Sequence, residues 1–353
     1  MNIGDYVVRL SYNKDIIFRI IDIDNGIAHL KGISYRIIAD APLHDIQLAT
    51  LMRSAENAIM ELVQKNIASI LEEHQHEKYN GLQKVVKVLH IDGDAFYMNI
   101  CLHYYKLLGV SAIGENVKEV EQPQKVKELI LKHNPDILVL TGHDAIFKKY
   151  PNRTHLDGYR NSKYYVEAVK EARKLRPTSQ QLVIYAGACQ SHFEELLQAG
   201  ADYASSPSRV LIHALDPPFI VERIAHCPFN EVLTIENALK YTITRFEGLG
   251  GYETYGKLRK GGPDTKLGEE QMIYNPHPPL VNSMEKSIMG DNTKPSAKGK
   301  NIDTENNLET GILLTANNNE DLQQNLEERL VRTHSDYERN FLGNSCPSRT
   351  SLK

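Results

Sequence analysis

The amino-acid sequence predicts an α/β protein: a parallel sheet with helices on both faces, preceded by a small N-terminal β-barrel-like module and followed by a disordered C-terminal tail. Three observations carry this. Apolar runs without alternation, such as VVKVLHI and DILVLTG, alternate with amphipathic segments between about 84 and 204. Strands apolar on both faces and joined by helices belong to covered parallel sheets. Short strand-like stretches parted by turn residues fill positions 1–50. Past about 275 the texture changes to Asn, Pro, Gly and charge, as in NPHPPLVNS, GDNTKPSAKGKN and TANNNEDLQQN, a composition that cannot bury a core.

In the first region, DYVVRL, IIFRIIDID, IAHLKG and YRIIAD read as strands, with Asn25-Gly26 among the turns. Their spacing suggests a bent sheet or barrel with a stabilising or binding role. Residues 51–80 form a helical connector, since LMRSAENAIMELVQKNIASILEEHQ repeats apolar residues at three-and-four spacing. Residues 81–274 form the α/β domain. Its strands are VVKVLHI, SAIGENV, DILVLTG, LVIYAG and a short ADYASS. Between them run helices over FYMNICLHYYKLLG, PQKVKELILKH, GYRNSKYYVEAVKEARKL and SHFEELLQAG, the last ending at Gly200. RVLIHALDPPFIVERIAHC and strands around EVLTIENALKYT and YGKLRKG complete it. The tail is 275–353, with a transient helix over NLEERLVRTHSDYERNFL.

Composition narrows the function classes. A net charge of −4 leaves no general basic field for nucleic acid or acidic lipid. Cys101, Cys189, Cys227 and Cys346 form neither a CxxC pair nor a metal-ligand cluster, so a reducing compartment is expected. No cofactor is expected. The start, MNIGDYVVRLSYNKD, lacks a basic-then-apolar leader. No apolar run approaches the roughly 20 residues of a membrane helix. The expectation is a soluble protein made in a cytoplasm.

Function in such sheets sits at the carboxyl ends of the strands. The first strand ends in HIDGD, with Asp92 and Asp94. The third ends in ILVLTGHDA, with His143. The fourth ends in LVIYAGACQS, with Cys189. Neighbouring strands would bring His143 and Cys189 to one crevice. An imidazole can take the proton of a thiol that is mostly protonated near neutral pH. The strand-to-helix turn offers backbone N–H groups to an oxyanion. Caspase-type enzymes carry Q-A-C-[RQG]-G with a histidine about 50 residues upstream. Here Gly187-Ala188-Cys189-Gln190-Ser191 keeps Ala-Cys-Gln, and His143-Asp144 stands where those enzymes have His-Gly.

Plainer readings stand beside these. Cys189 alone is as consistent with a packed thiol, and His143 with a hydrogen-bonded loop residue. Cys101 and His213 lie in apolar runs and read as core, Cys227 has no evident base, and His192 suits a solvated helix start. Asp92 and Asp94 resemble the paired acids of a Mg²⁺ phosphoryl-transfer site, and Asp94 alone suits a helix cap worth about 1 kcal/mol.

The stretches IGDYVVRLSYNKDIIFRI, VLHIDGD, ILVLTGHDA, YRNSKYYVEAVKEAR, YAGACQS, SSPSRVLIHALDPPFIVERIA and GLGGYETYGKLRKG resemble the YabG family, sporulation-specific proteases of endospore-forming bacteria. The resemblance ends near residue 270. It implies a cysteine-type endopeptidase made late in sporulation, in the mother-cell cytoplasm and at the forespore surface or spore coat. Its implied substrates are spore coat proteins, often cut after arginine. It selects Cys189 as nucleophile and His143 as general base, then acid. Asp144 and Cys189 would lend backbone N–H groups to the oxyanion, with no third catalytic residue required. In caspase-like folds the residue before the cut bond is gripped from the end of the first central strand. That position holds Asp92 and Asp94, with Asp202 and Asp216 in reserve. A carboxylate there favours arginine over lysine, because a guanidinium offers two parallel donors. Two other classes stay open: a phosphoryl-transfer enzyme using Asp92 and Asp94, and a non-catalytic coat scaffold.

Overall fold

A computed structural model describes residues 1–49, 53–76, 82–149 and 153–261. The expected tail with its transient helix, and Cys346, lie outside the described residues. All described residues fall within one compact unit, Met1–Asn275. Among them, no helix is long and apolar enough to cross a membrane.

The chain opens with β1 (Tyr6–Arg9), β2 (Phe18–Asp24), β3 (Ile27–Gly32), β4 (Ile38–Pro42) and β5 (Ile46–Leu48). They form an antiparallel sheet in the order β4-β3-β2-β1-β5. Asn25 and Gly26 both take positive φ, which gives the two-residue turn whose twist matches paired strands. Alternation buries Phe18, Ile20, Ala28 and Leu30 against Val7, Ala41 and Ile46. One expectation shifts. YRIIAD was expected to be strand throughout, yet β4 begins only at Ile38. Tyr35 bridges to His213 of the second sheet's domain and the Arg36 side chain is buried against Asp92, so tertiary contacts override the β-propensity of this stretch.

Helix α1 (Arg53–His76) buries Val63, Asn66, Ile67 and Ile70, one stripe at three-and-four spacing. Then follow β6 (Leu82–Lys84), β7 (Lys87–Asp92), α2 (Ala95–Leu107), β8 (Ser111–Asn116), α3 (Gln122–His133) and β9 (Ile137–Thr141). Next come α4 (Ser162–Leu175), β10 (Val183–Ala186), α5 (Phe193–Gln198), β11 (Tyr203–Ser205) and α6 (Asp216–His226). The end holds β12 (Val232–Leu233), the short α7 (Ile235–Ala238) and α8 (Arg245–Gly248), β13 (Leu249–Gly251), β14 (Thr254–Tyr255) and β15 (Arg259–Gly261).

The second sheet runs β8-β7-β9-β10-β11-β13. Its first five strands are parallel and β13 is antiparallel. Leu89, Ile91, Leu138, Leu140 and Ile184 on one face meet Val126 and Ile130 of α3 and Val166 and Val169 of α4. His90 points to the other face, where its ring meets Tyr105 of α2 and α2 packs on α6. Two short pairs, β12 with β14 and β6 with β15, finish the domain. The strand order reverses between β7 and β9. At such a switch point the outgoing connections diverge and leave a crevice over the carboxyl ends.

The fold predicts unequal costs for two isoleucines. Ile184 is 0% exposed in the sheet core, whereas Ile38 is 50% exposed on β4. Urea denaturation of Ile184→Ala should show a loss of about 2–5 kcal/mol. Ile38→Ala should stay within about 0.5 kcal/mol of wild type. Equal losses would mean that β10 is not at the centre of the core.

Candidate active site

Three neighbouring strands deliver the functional groups. Asp92 ends β7 opposite Thr141 of β9, and Leu140 of β9 lies opposite Ala186 of β10. Each of β9 and β10 is followed by a glycine with positive φ, Gly142 at 153° and Gly187 at 110°. A Cβ at Gly142 would meet Glu119 Oε1 at 2.3 Å, and one at Gly187 would meet Leu196 Cδ1 at 2.9 Å. The chain therefore turns sharply there only because no side chain is present. These turns bring His143 and Cys189 to the crevice.

Cys189 is 2% exposed. Its sulfur accepts the Ile212 backbone N–H at 3.2 Å. Burial pushes its thiol up to about 11, and the backbone N–H groups of Ile212 and Arg36 pull the other way. Gln190 takes φ 59°, and Ala188 donates its N–H to Ser191 Oγ at 2.9 Å. Ser191 Oγ donates in turn to Asp144 Oδ2 at 3.0 Å.

Asp144 is buried, and its carboxylate also accepts from Ser162 Oγ and from the N–H groups of Asn161 at 2.8 Å and Ala145 at 2.9 Å. Burial raises its pKa to about 6, with those donors pulling the other way. The side chain of Asp144 thus ties the His143 turn to the Cys189 turn. Among the described residues, the backbone N–H groups of Asp144 and Cys189 donate to no protein acceptor.

His143 is held on every side. Its N–H donates to Glu119 Oε1 at 2.7 Å, and its carbonyl accepts from Asn161 Nδ2 at 2.9 Å. Its ring stands edge-on to Tyr97 at 5.7 Å. Nε2 lies 2.9 Å from Asp94 Oδ2, and Nδ1 lies 3.2 Å from the Arg36 carbonyl oxygen.

The two acids have separate contacts, whereas the sequence expectation puts both at one substrate pocket. Asp94 caps α2 by accepting from Phe96 N at 2.9 Å. Its other oxygen is taken by His143 and by Lys31 Nζ at 2.8 Å. Burial opposes its charge, but these two partners bring its pKa down to about 2. Asp92 is fully buried. It accepts from Arg36 Nη1, from Thr141 Oγ1 at 2.8 Å and from Asp94 N at 2.8 Å, and His90 Nε2 lies 3.3 Å away. Burial again opposes ionisation, and the Arg36 guanidinium overcomes it, holding the carboxyl well below its usual range. The reserve acids are bound elsewhere, Asp202 by Arg173 Nη2 at 2.6 Å and Asp216 by Thr244 Oγ1 and Ile243 N.

Sequence reading passed over Arg36, whose only signal was one charge in the apolar run YRII. It also passed over His90, a polar residue inside VVKVLHI, which is fully buried and lies 2.7 Å from Thr141 Oγ1. As for metals, Asp92 and Asp94 are each already neutralised by a cation, so the pair is not arranged for Mg²⁺. A separate group, His74 on α1 with Glu222 and His226 on α6, keeps its ligand atoms within 4.8 Å of one another and has the donor types for a divalent cation.

A family model described as YabG peptidase U57 matches residues 2–263, a span that includes both sheets and every strand end above. The sporulation-specific protease YabG of Bacillus subtilis (strain 168) is 44% identical over 283 residues, covering 74% of this chain and 97% of that protein. The chain belongs to the YabG peptidase family.

Proposed function

We propose that this sporulation protease is a cysteine endopeptidase, with Cys189 as nucleophile and His143 as general base, that cuts after arginine. The observation that carries this reading is that Arg36 sets its carbonyl 3.2 Å from His143 Nδ1 and its guanidinium on Asp92, while its N–H favours the Cys189 thiolate. An arginine side chain set in that way marks where the side chain before a cut bond would go, with its own carbonyl turned to His143 instead of to the Asp144 and Cys189 N–H groups.

In a productive complex, the thiol gives its proton to His143 and the thiolate adds to the carbonyl carbon of the substrate arginine. The N–H groups of Asp144 and Cys189 receive the negative oxygen. His143 then returns the proton to the departing amine. Water, deprotonated by the same imidazole, hydrolyses the thioester and regenerates the thiol. Asp94 orients the ring through Nε2, a third member that sequence reasoning had treated as unnecessary. Asp92 selects arginine, because a carboxylate in a water-excluded pocket pairs with a guanidinium better than with an ammonium. Proteins of the spore coat as substrates, and action at the forespore surface, rest on family membership.

Cys189→Ala and His143→Ala should each lower cleavage of a coat-protein extract by about a hundredfold or more, while Cys227→Ala keeps it. Comparable activity in Cys189→Ala and wild type would identify the wrong thiol. In peptides differing only before the cut bond, wild type should prefer Arg to Leu, and Asp92→Asn should shrink that ratio by about tenfold. A ratio unchanged in Asp92→Asn puts the selecting acid elsewhere. Asp94→Asn keeps a helix cap but loses the charge on His143, so kcat should fall about tenfold with KM little changed. A change confined to KM would instead assign Asp94 to substrate binding.

A further inference from the structure

Between β3 and β4 the chain makes a short excursion over residues 33–37. It leaves the N-terminal sheet and returns to it, closed by Gly32 N donating to Ile37 O at 2.9 Å. The second sheet's domain grips this excursion by its backbone. Tyr97 Oη lies 2.7 Å from Gly32 O and 2.8 Å from Tyr35 O, its one proton shared between the two carbonyls. Ala214 N donates to Ser34 O at 2.7 Å. Tyr35 and His213 form an antiparallel bridge. Main-chain pairing alongside a pocketed side chain is how an extended peptide is recognised.

Arg36 then meets all the parts of the proposed site together. Its N–H acts on the Cys189 sulfur, its carbonyl lies 3.2 Å from His143 Nδ1, and its guanidinium lies on Asp92. The side chain is 1% exposed. With Nε2 of His143 on Asp94 and Nδ1 on this carbonyl, both ring nitrogens are engaged away from the thiol.

The fit of the guanidinium is incomplete. One oxygen of Asp92 takes Nη1, Nη2 faces the Cys101 sulfur at 3.2 Å, and Nε makes no hydrogen bond among the described residues. A thiol is a weak acceptor, and a guanidinium anchored for stability alone would engage both carboxylate oxygens. We infer that residues 33–37 are a built-in pseudosubstrate: Arg36 fills the arginine subsite, and its main chain closes the crevice until a substrate or partner displaces it. The inference rests on reading Cys189 and His143 as the catalytic pair. A tethered occupant competes at high effective concentration, so cleavage of other chains requires the excursion to withdraw.

The test is alkylation of the full chain by iodoacetamide, with modification at Cys189 read by peptide mass against half-buried Cys227 as internal reference. Arg36→Ala vacates the subsite but leaves Asp92 buried without its cation, so it is paired with Tyr97→Phe. That variant keeps the ion pair and removes the hydroxyl that holds two carbonyls of the excursion. Losing that shared hydrogen bond, of ordinary net strength, should raise the Cys189 rate several-fold, up to about tenfold. Cleavage of an arginyl peptide should rise in parallel. Agmatine, a free guanidinium, should raise the Tm of Arg36→Ala and leave that of wild type unchanged. Cys189 reacting in wild type as fast as in Tyr97→Phe, with the variant cooperatively folded, overturns the inference. Faster alkylation in the variants without arginyl cleavage by any form would show that residues 33–37 cover Cys189 but would overturn the arginine-specific catalytic pair, and the pseudosubstrate with it. Full arginyl cleavage by wild type, unchanged in the variants, would keep the catalytic pair and discard the pseudosubstrate.

Discussion

The buried ion pair between Asp92 and Arg36 is the constraint on which the rest of the molecule depends. Two charges removed from water on their own would each be strongly disfavoured. Here burial raises the cost and each partner offsets it for the other, so both remain ionised. The pair joins the end of β7 to the excursion between β3 and β4, and so joins the two sheets. Thr141 and His90 extend it to β9. Removing one partner alone would strand a buried charge, the costly case for such pairs. The two sheets are thus coupled electrostatically beside the strand ends that carry His143 and Cys189.

Around that pair the crevice is braced in layers. Glu119 fixes the His143 backbone, and Asn161 takes its carbonyl. Asp144 gathers Ser162, Ser191 and two backbone N–H groups. Ser162 also accepts the His192 N–H at 2.8 Å, which holds the start of α5 to the start of α4. A thiol-bearing turn with Gln190 at positive φ is a strained element, and this network fixes its shape. Positioning of this sort costs no reorganisation when charge develops.

Much of this was legible in the sequence, for physical reasons. β7, β9 and β10 are apolar on both faces because helices cover both, and that pattern survives without coordinates. Their carboxyl ends are where an α/β sheet exposes groups, so position made His143 and Cys189 candidates, and the family resemblance chose between them and the paired acids. The orientation of side chains past the strand ends could not. Asp94 turns to His143 rather than into a pocket beside Asp92, since its N-cap geometry aims the carboxylate back over the helix start. Asp144 was valued for its N–H, yet its side chain does the bracing. Arg36 was hidden because a β-branched run, YRII, reads as strand, and the partner that pulls it out of the sheet, Asp92, lies at the end of β7 in the other sheet. No local pattern encodes a contact of that range.

One carboxylate therefore holds the excursion in place and, on the proposed reading, also chooses the substrate. In evolutionary terms this links two positions that are far apart in the chain. A lineage that changed the acid at the end of β7 would lose its grip on residue 36 at the same moment as its preference in cleavage. Drift at either site alone is penalised, and a new specificity is reachable only by exchanging both. Across relatives, positions 36 and 92 should behave as a single inherited character.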